Sequence, residues 1–299
     1  MFFASQLAPT VPSGLVDYVR LSPGLDGVCY DIPMFLPLRT PKVQLILLLA
    51  LIYLTALIEY PAWQNLYLLL ISLGSVVLFD LLFTFLRGRK FFVPYSAIIT
   101  GFIIALIIGP DVPWYEVTAA SAIAMAAKNF LRFSGRHIFN PAAIGLFAAG
   151  ILLNQYVTWW GVSFQNLRML NVYHFVVFLI LVAPWMVSAH RMRRAYSILS
   201  FLISYTLLLH IFTFTLSLSS LIYRLLDPGI LFFSLVMLPE PMTSPVNPKK
   251  QIAFGLTVAI IAQLIAYPPI INVLSTWKLL PDLFIGSLLV GNILFFKIR

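Results

Sequence analysis

Residues 66–86 read LYLLLISLGSVVLFDLLFTFL, and the tetrapeptide RGRK follows at 87–90. About 20 consecutive apolar residues are what an α-helix needs to cross the hydrocarbon of a bilayer. The run is continuous rather than alternating, so it predicts a spanning helix and not a barrel strand, the two forms whose backbone groups are satisfied inside lipid. One ionisable residue, Asp80, lies within it, and it ends on a basic cluster of the kind that marks the cytoplasmic side.

The rest of the chain repeats this pattern. Of 299 residues, 61% are hydrophobic and 10% charged, with a mean hydropathy of +0.97. Soluble domains carry about 25% charged residues, so the composition indicates an integral membrane protein. Apolar runs lie near 43–60, 66–86, 95–109, 116–131, 141–153, 172–189, 196–217, 229–239, 251–271 and 281–296. Those at 116–131, 141–153 and 229–239 are short. The expected fold is all-α, a polytopic membrane protein of about ten spans including short or broken ones.

An even count of spans puts both termini on one side, and the basic residues segregate accordingly. Arg20, Arg39, Lys42, Arg87, Arg89, Lys90, Lys128, Arg132, Arg136, Arg191, Arg193, Arg194, Lys249, Lys250, Lys297 and Arg299 share the side of the termini. Of the 19 Lys and Arg, only Arg168, Arg224 and Lys278 fall opposite. The positive-inside rule makes the crowded side, and both termini, cytoplasmic in an inner or plasma membrane. The net charge of +9 therefore reads as topology and not as a nucleic-acid surface. The single cysteine, Cys29, excludes an intrachain disulfide and an all-cysteine iron–sulfur cluster. Residues 1–42, with six prolines, read as an N-terminal cytoplasmic arm rather than a cleavable signal peptide, ahead of a membrane domain at 43–299.

Two polar stretches interrupt the apolar text. In SGRHIFNPAA, 134–143, Asn140 is placed to cap a helix whose first position is Pro141. The N–H groups of that helix end, beside Arg136 and His137, read either as an anion-attracting pocket or as a plain capped start with topology charges. In MLPEPMTSPVNPKKQIAFG, 237–255, four prolines stiffen a turn carrying Glu240, Thr243, Ser244 and Asn247. That turn reads as a preorganised site, against the alternative of a rigid connector. Asp80 is an intramembrane carboxylate and hence a site candidate; the alternative is a residue screened by Arg87 seven positions on. Residues 116–153 and 229–271 echo each other weakly as two short helices around a polar turn, which is how sites built from broken helices show in sequence. His174, His190 and His210 are scattered and read as packing or interface residues rather than haem ligands. No metal site is expected, and phosphate-loop, dinucleotide and nucleophile-elbow signatures are absent.

Three stretches in order, PYSAIITGFIIALIIGPDVPW at 94–114, SGRHIFNPAAIG at 134–145 and LPEPMTSPVNPKKQIAFG at 238–255, resemble the NqrB/RnfD family. That family comprises the NqrB proteins of sodium-translocating NADH:quinone reductases and the RnfD proteins of Rnf electron transport complexes. The resemblance implies a fold like that of urea transporters, in a flavin-associated electron-transfer subunit coupled to cation transport among other membrane subunits. It points to Arg136, His137, Asn140, Pro141, Glu240, Thr243 and Ser244 as cofactor-binding residues; Asp80, as an intramembrane carboxylate, and Glu240 are the candidates for an ion or proton site. Family members carry FMN esterified to a threonine in a Ser/Thr-Gly-Ala-Thr motif; this chain has no such motif. The corresponding loop, NQYVTWWGVSFQNLRML at 154–170, holds Thr158 alone. The expectation is therefore noncovalent riboflavin or FMN. Trp159, Trp160 and Phe164 read as interfacial belt residues, with stacking on a flavin as the alternative. A transporter or channel for a small solute or flavin on the same scaffold is the competing function.

Overall fold

The computed structural model describes residues 18–20, 31–33, 40–89, 93–154, 157–164, 171–213, 217–276 and 279–298. The chain divides into two units, Met1–Thr40 and Pro41–Arg299. The described part of the first is an antiparallel ribbon of β1 (Tyr18–Arg20) and β2 (Asp31–Pro33), with Val19 opposite Ile32.

The second unit is helical. It contains α1 (Pro41–Glu59), α2 (Trp63–Leu86), α3 (Tyr95–Ile107) and α4 (Trp114–Phe130). A small hairpin of β3 (Arg132–Phe133) and β4 (Arg136–His137) leads to α5 (Pro141–Leu153) and the single turn α6 (Trp160–Ser163). Next come α7 (Val172–Val182), a π-helical turn over Met186–Arg191, α8 (Ala195–Thr213) and α9 (Leu218–Leu225). Then follow α10 (Pro228–Phe232), a second π-helical turn over Phe233–Met237, α11 (Pro248–Ala266), α12 (Pro268–Thr276) and α13 (Leu283–Phe295). Every apolar run of the sequence thus carries helix.

Among the described residues five helices are long and apolar enough to cross a membrane, and Ser219–Leu225 with Pro228–Met237, bent by 45°, makes a sixth. Tyr95–Ile107, Pro141–Leu153 and Leu283–Phe295 are apolar but only 13 residues each. At 1.5 Å per residue each reaches about 20 Å, short of a bilayer core of about 30 Å. Three starts are written as Asx-Pro: Asn140-Pro141, Asp227-Pro228 and Asn247-Pro248, each Asx side chain accepting from N–H groups of the first turn.

The opening run shows how the bundle is assembled. On α2 the residues Leu68, Ser72, Val76, Asp80 and Thr84 are buried, one every four positions, while Leu70, Leu78, Leu82 and Phe85 are exposed. Lipid accepts the leucines; the polar groups need partners and turn inward.

Packing shows two similar halves. Helix α2 lies along α4 and α4 along α5; in the same way α8 lies along α11 and α11 along α13. The short helix α3 touches α1 as α10 touches α7, and the halves meet through α1 with α7 and α5 with α13. The hydroxyl of Tyr173, at the start of α7, donates to Glu59 at the end of α1, so the second half begins where the first helix ends. By these packing partners five segments of one half match five of the other. This corrects the register of the echo read from sequence: α4 corresponds to α11, and the turn at 108–113 corresponds to that at 238–247. The proline-rich turns misled that alignment, because helix packing and not turn composition defines the halves.

Candidate functional site

The two polar stretches meet at the basic end of the bundle. His137 Nε2 lies 2.7 Å from Glu240 Oε1 across 103 positions of sequence, and the Thr243 hydroxyl donates to Glu240 Oε2 at 2.8 Å. The turn is knotted around its glutamate: the amides of Thr243 and Ser244 and the Ser244 hydroxyl all donate to the Glu240 carbonyl. Arg194 holds it from outside, its Nε donating to Ser244 Oγ at 2.8 Å and its Nη2 to the Pro241 carbonyl at 3.3 Å. Burial, and secondarily the nearby Arg136, lowers the pKa of Arg194 below the usual guanidinium value.

Asn140 ties the first stretch to both halves. Its Oδ1 caps α5 through the Ala143 amide, its Nδ2 donates to the Met237 carbonyl at 3.0 Å, and its backbone amide donates to Asn292 Oδ1 at 2.9 Å. A carbonyl freed by the π-helical turn is thus satisfied by a residue of the other half. Asn292 Nδ2 and Arg136 Nη1 are buried without a partner.

Asp80 belongs to a different cluster. Lys128 Nζ donates to Asp80 Oδ2 at 2.9 Å, with side-chain exposures of 9% and 1%, and Asn129 Nδ2 donates to Oδ1 at 3.0 Å. The screening by Arg87 read from the sequence does not occur: Arg87 Nη1 reaches Asn129 Oδ1 instead, at 3.4 Å. Lys128 is likewise not a loop charge but a buried residue of α4. Adjacent helices bring Lys128 to the carboxylate, a proximity that spacing along α2 does not show. Asp80 and Glu240 therefore stand in two separate networks.

Sequence reasoning missed Lys128, Arg194 and Asn292. Lys128 carried a signal, a lysine inside the apolar text of a span. Asn292 carried a weaker one as an amide in an apolar helix, and Arg194 none beyond its charge.

A cavity of about 120 Å³ opens beside the site, lined by Lys42, Ser96, Thr100, Asn140 and Glu240 among others. Small-molecule sites typically measure about 300–1,000 Å³. A space of this size suits waters or a small cation rather than the three-ring system of a flavin. Of the residues expected to hold a flavin, Asn140, Pro141 and Glu240 line this cavity, while Arg136, His137, Thr243 and Ser244 are not part of its lining. Among the described residues no group of three or more His, Cys, Asp or Glu is arranged to hold a metal.

The aromatic stretch after α5 faces inward and is not a belt. Trp160 is 8% exposed and donates its indole N–H to the Ala105 carbonyl at 2.8 Å; Phe164 is buried edge-on to Tyr60. Trp159 donates to Asp282 Oδ2 at 2.8 Å and meets Phe232 and Phe284 edge-on. Thr158 Oγ1 donates to the Ile107 carbonyl at 3.3 Å.

Known proteins share this text in part. The chain is similar to the D component of the ion-translocating oxidoreductase complex of Shigella flexneri, 29% identical over 127 residues, which are 41% of this chain and 36% of that protein. It matches the component of the same name from Stutzerimonas stutzeri at 29% over 123 residues, 40% of this chain and 35% of that one. Against the D component of the proton-translocating ferredoxin:NAD(+) oxidoreductase complex of Clostridium ljungdahlii it is 39% identical over 66 residues, 22% and 20% of the two chains. The matched segments thus span about a third or less of these relatives. The model of the NQR2, RnfD, RnfE family, by contrast, matches residues 37–271, a range that holds both turns. The chain belongs to the NQR2, RnfD, RnfE family.

Proposed function

We propose that this protein is a membrane subunit of an Rnf-type ion-translocating oxidoreductase, seated in the inner or plasma membrane among partner subunits with both termini in the cytoplasm. Within it, the Glu240–His137 pair handles the coupling cation or proton. One observation carries the assignment. A carboxylate lies 2.7 Å from an imidazole and 2.8 Å from a threonine hydroxyl where the interrupted helices of two halves meet, beside a cavity of about 120 Å³. Glutamate and histidine can exchange a proton directly, and an ionised Glu240 with the Ser96 and Thr100 oxygens can face a small cation. The Asp80–Lys128 pair, hydrogen-bonded within its own cluster, serves to neutralise charge inside the bundle.

The test uses membrane vesicles from the native host, measuring sodium or proton uptake driven by electron transfer. Glu240→Gln and His137→Gln should each reduce coupled uptake by about tenfold or more while partner subunits still copurify. Unchanged uptake in both variants overturns the assignment.

The family resemblance carries a second element, a noncovalently held riboflavin or FMN outside the 120 Å³ cavity. It is supported by the missing Ser/Thr-Gly-Ala-Thr motif and by Thr158, whose hydroxyl is engaged with a backbone carbonyl. Purified protein should show flavin absorbance that separates from the chain on denaturation. Flavin remaining on the denatured chain, or none at all by mass spectrometry, contradicts it. The paired short helices favour a second reading, a solute transporter on the same scaffold; uptake by the protein alone in proteoliposomes would select it.

A further inference from the structure

The walls of the cavity beside Glu240 include Ile103 of α3 and Val236 of the second π-helical turn. Four positions farther from the basic end on each segment, about one helical turn, stand Ile107 and Phe232. Both are fully buried, and both touch the same residue, Trp159. The Trp159 amide donates to the Ile107 carbonyl at 3.0 Å, and its ring meets the Phe232 ring edge-on at 6.3 Å. Trp159 therefore forms the next layer beyond the cavity. It is only half-buried, and its neighbour Thr158 is exposed, so past this layer lies the surface at the end opposite Glu240.

The two halves hold this layer differently. Toward the first half the hold is backbone: Val157 bridges to Ile108, the Thr158 and Trp159 amides share the Ile107 carbonyl, and Gly161 lies against Leu106 with no room for a Cβ. Residues 157–164 form one unit with the end of α3. Toward the second half, the polar hold among the described residues is the indole. It donates to Asp282 Oδ2 at 2.8 Å, while the ring meets Phe284 edge-on at 6.4 Å. The ring also lies over Gly229, where a Cβ would come within 3.9 Å of it. Asp282 and Gly229 stand at the starts of α13 and α10. The Trp159 backbone has φ 54°, a left-handed conformation uncommon for a bulky residue and imposed by its surroundings. Asn140 makes the matching bond between halves at the basic end, to the Met237 carbonyl. A passage that opens at one end at a time requires a releasable contact at each end.

We propose that Trp159 is the releasable seal of a passage between the halves that begins at the Glu240 cavity. Seated against Asp282, Phe232 and Phe284, it closes the end opposite Glu240; withdrawn from them, it opens that end. That the passage carries the coupling cation or proton rests on the reading of Glu240 given above, whereas the seal itself does not.

Two measurements test it. The full chain in liposomes holding a pH-sensitive dye reports passive proton leak. Trp159→Ala should raise that leak by about fivefold or more, as expected when an apolar constriction is removed. Trp159→Phe, which keeps a ring and loses the Asp282 bond, should raise it less. Trp114→Ala, at an exposed tryptophan on the same end, should leave it unchanged. A Trp159→Ala chain that folds and does not leak overturns the proposal. The second measurement keeps the tryptophan and so decides even where Trp159→Ala fails to fold. Gly229→Cys in a Cys29→Ser background places a thiol beneath the ring. An impermeant thiol reagent, applied to spheroplasts and to inverted vesicles, should label it slowly at rest. From the side opposite the basic end, labelling should become about fivefold faster while electron transfer is driven. Equal rates, or acceleration from the basic side alone, overturn the release of the seal. Glu240→Gln separates this proposal from the reading on which its cargo rests. Leak and labelling responses that persist while Glu240→Gln leaves coupled uptake unchanged retain the seal and remove the Glu240 assignment. Loss of both responses removes the seal and leaves Glu240 to its own test.

Discussion

Asp80 and Lys128 illustrate what a buried charge demands. Paired at 2.9 Å and almost wholly enclosed, they compensate each other's lost hydration, assisted by Asn129. Asp80→Asn should leave a buried ammonium unpaired and cost roughly 3–5 kcal/mol, read as a fall in melting temperature. Adding Lys128→Met should restore most of that loss, since an apolar side chain is at home among helices. If the double variant is as unstable as the single one, the carboxylate has a role besides neutralising Lys128. Asn140→Ala removes a helix cap and the donor to the Met237 carbonyl together, an expected loss of about 1–3 kcal/mol. Asp80, Asn140 and Glu240 stood out in the text because polar atoms are costly in lipid. Which residues they pair with was not legible, because contacts such as that of His137 with Glu240 join positions 103 apart.

Helix pairs in this bundle approach closely where small residues allow it. A Cβ at Gly255 of α11 would collide with Ser200 Oγ and the Ser197 carbonyl, and come within 2.9 Å of the Phe201 amide nitrogen, all on α8. Gly145 of α5 likewise leaves no room against the Ala120 carbonyl of α4. Gly255→Ala should therefore separate α8 from α11 and cost about 3 kcal/mol, visible in the melting temperature. Gly74, with open space at its Cβ position, is the control: Gly74→Ala should be neutral or slightly stabilising. Helix positions were legible because long apolar runs and Asx-Pro starts are local signals. The bend between α9 and α10 and the two π-helical turns were not, since they satisfy packing rather than propensity.

Across the whole molecule, the described contacts collect the cytoplasmic-type charges at one end, where Arg194 meets the Glu240 turn and Lys250 donates to the Ile298 carbonyl. A Cys29→Ser background with single cysteines at Lys250 or Arg224 checks the orientation. An impermeant thiol reagent should reach position 224 in intact spheroplasts and position 250 only after lysis. Labelling of both from one side contradicts the span count, and the reverse pattern contradicts the proposed orientation. Composition, run length and charge segregation by themselves determined that this is an all-α membrane protein with about ten helical segments and two polar turns worth attention, because the bilayer penalises every exposed polar group along the chain. Only the tertiary structure decided how the halves correspond, that Asp80 belongs to Lys128, and that the two turns form one carboxylate–imidazole site. Those outcomes depend on which side chains distant helices bring within hydrogen-bond distance.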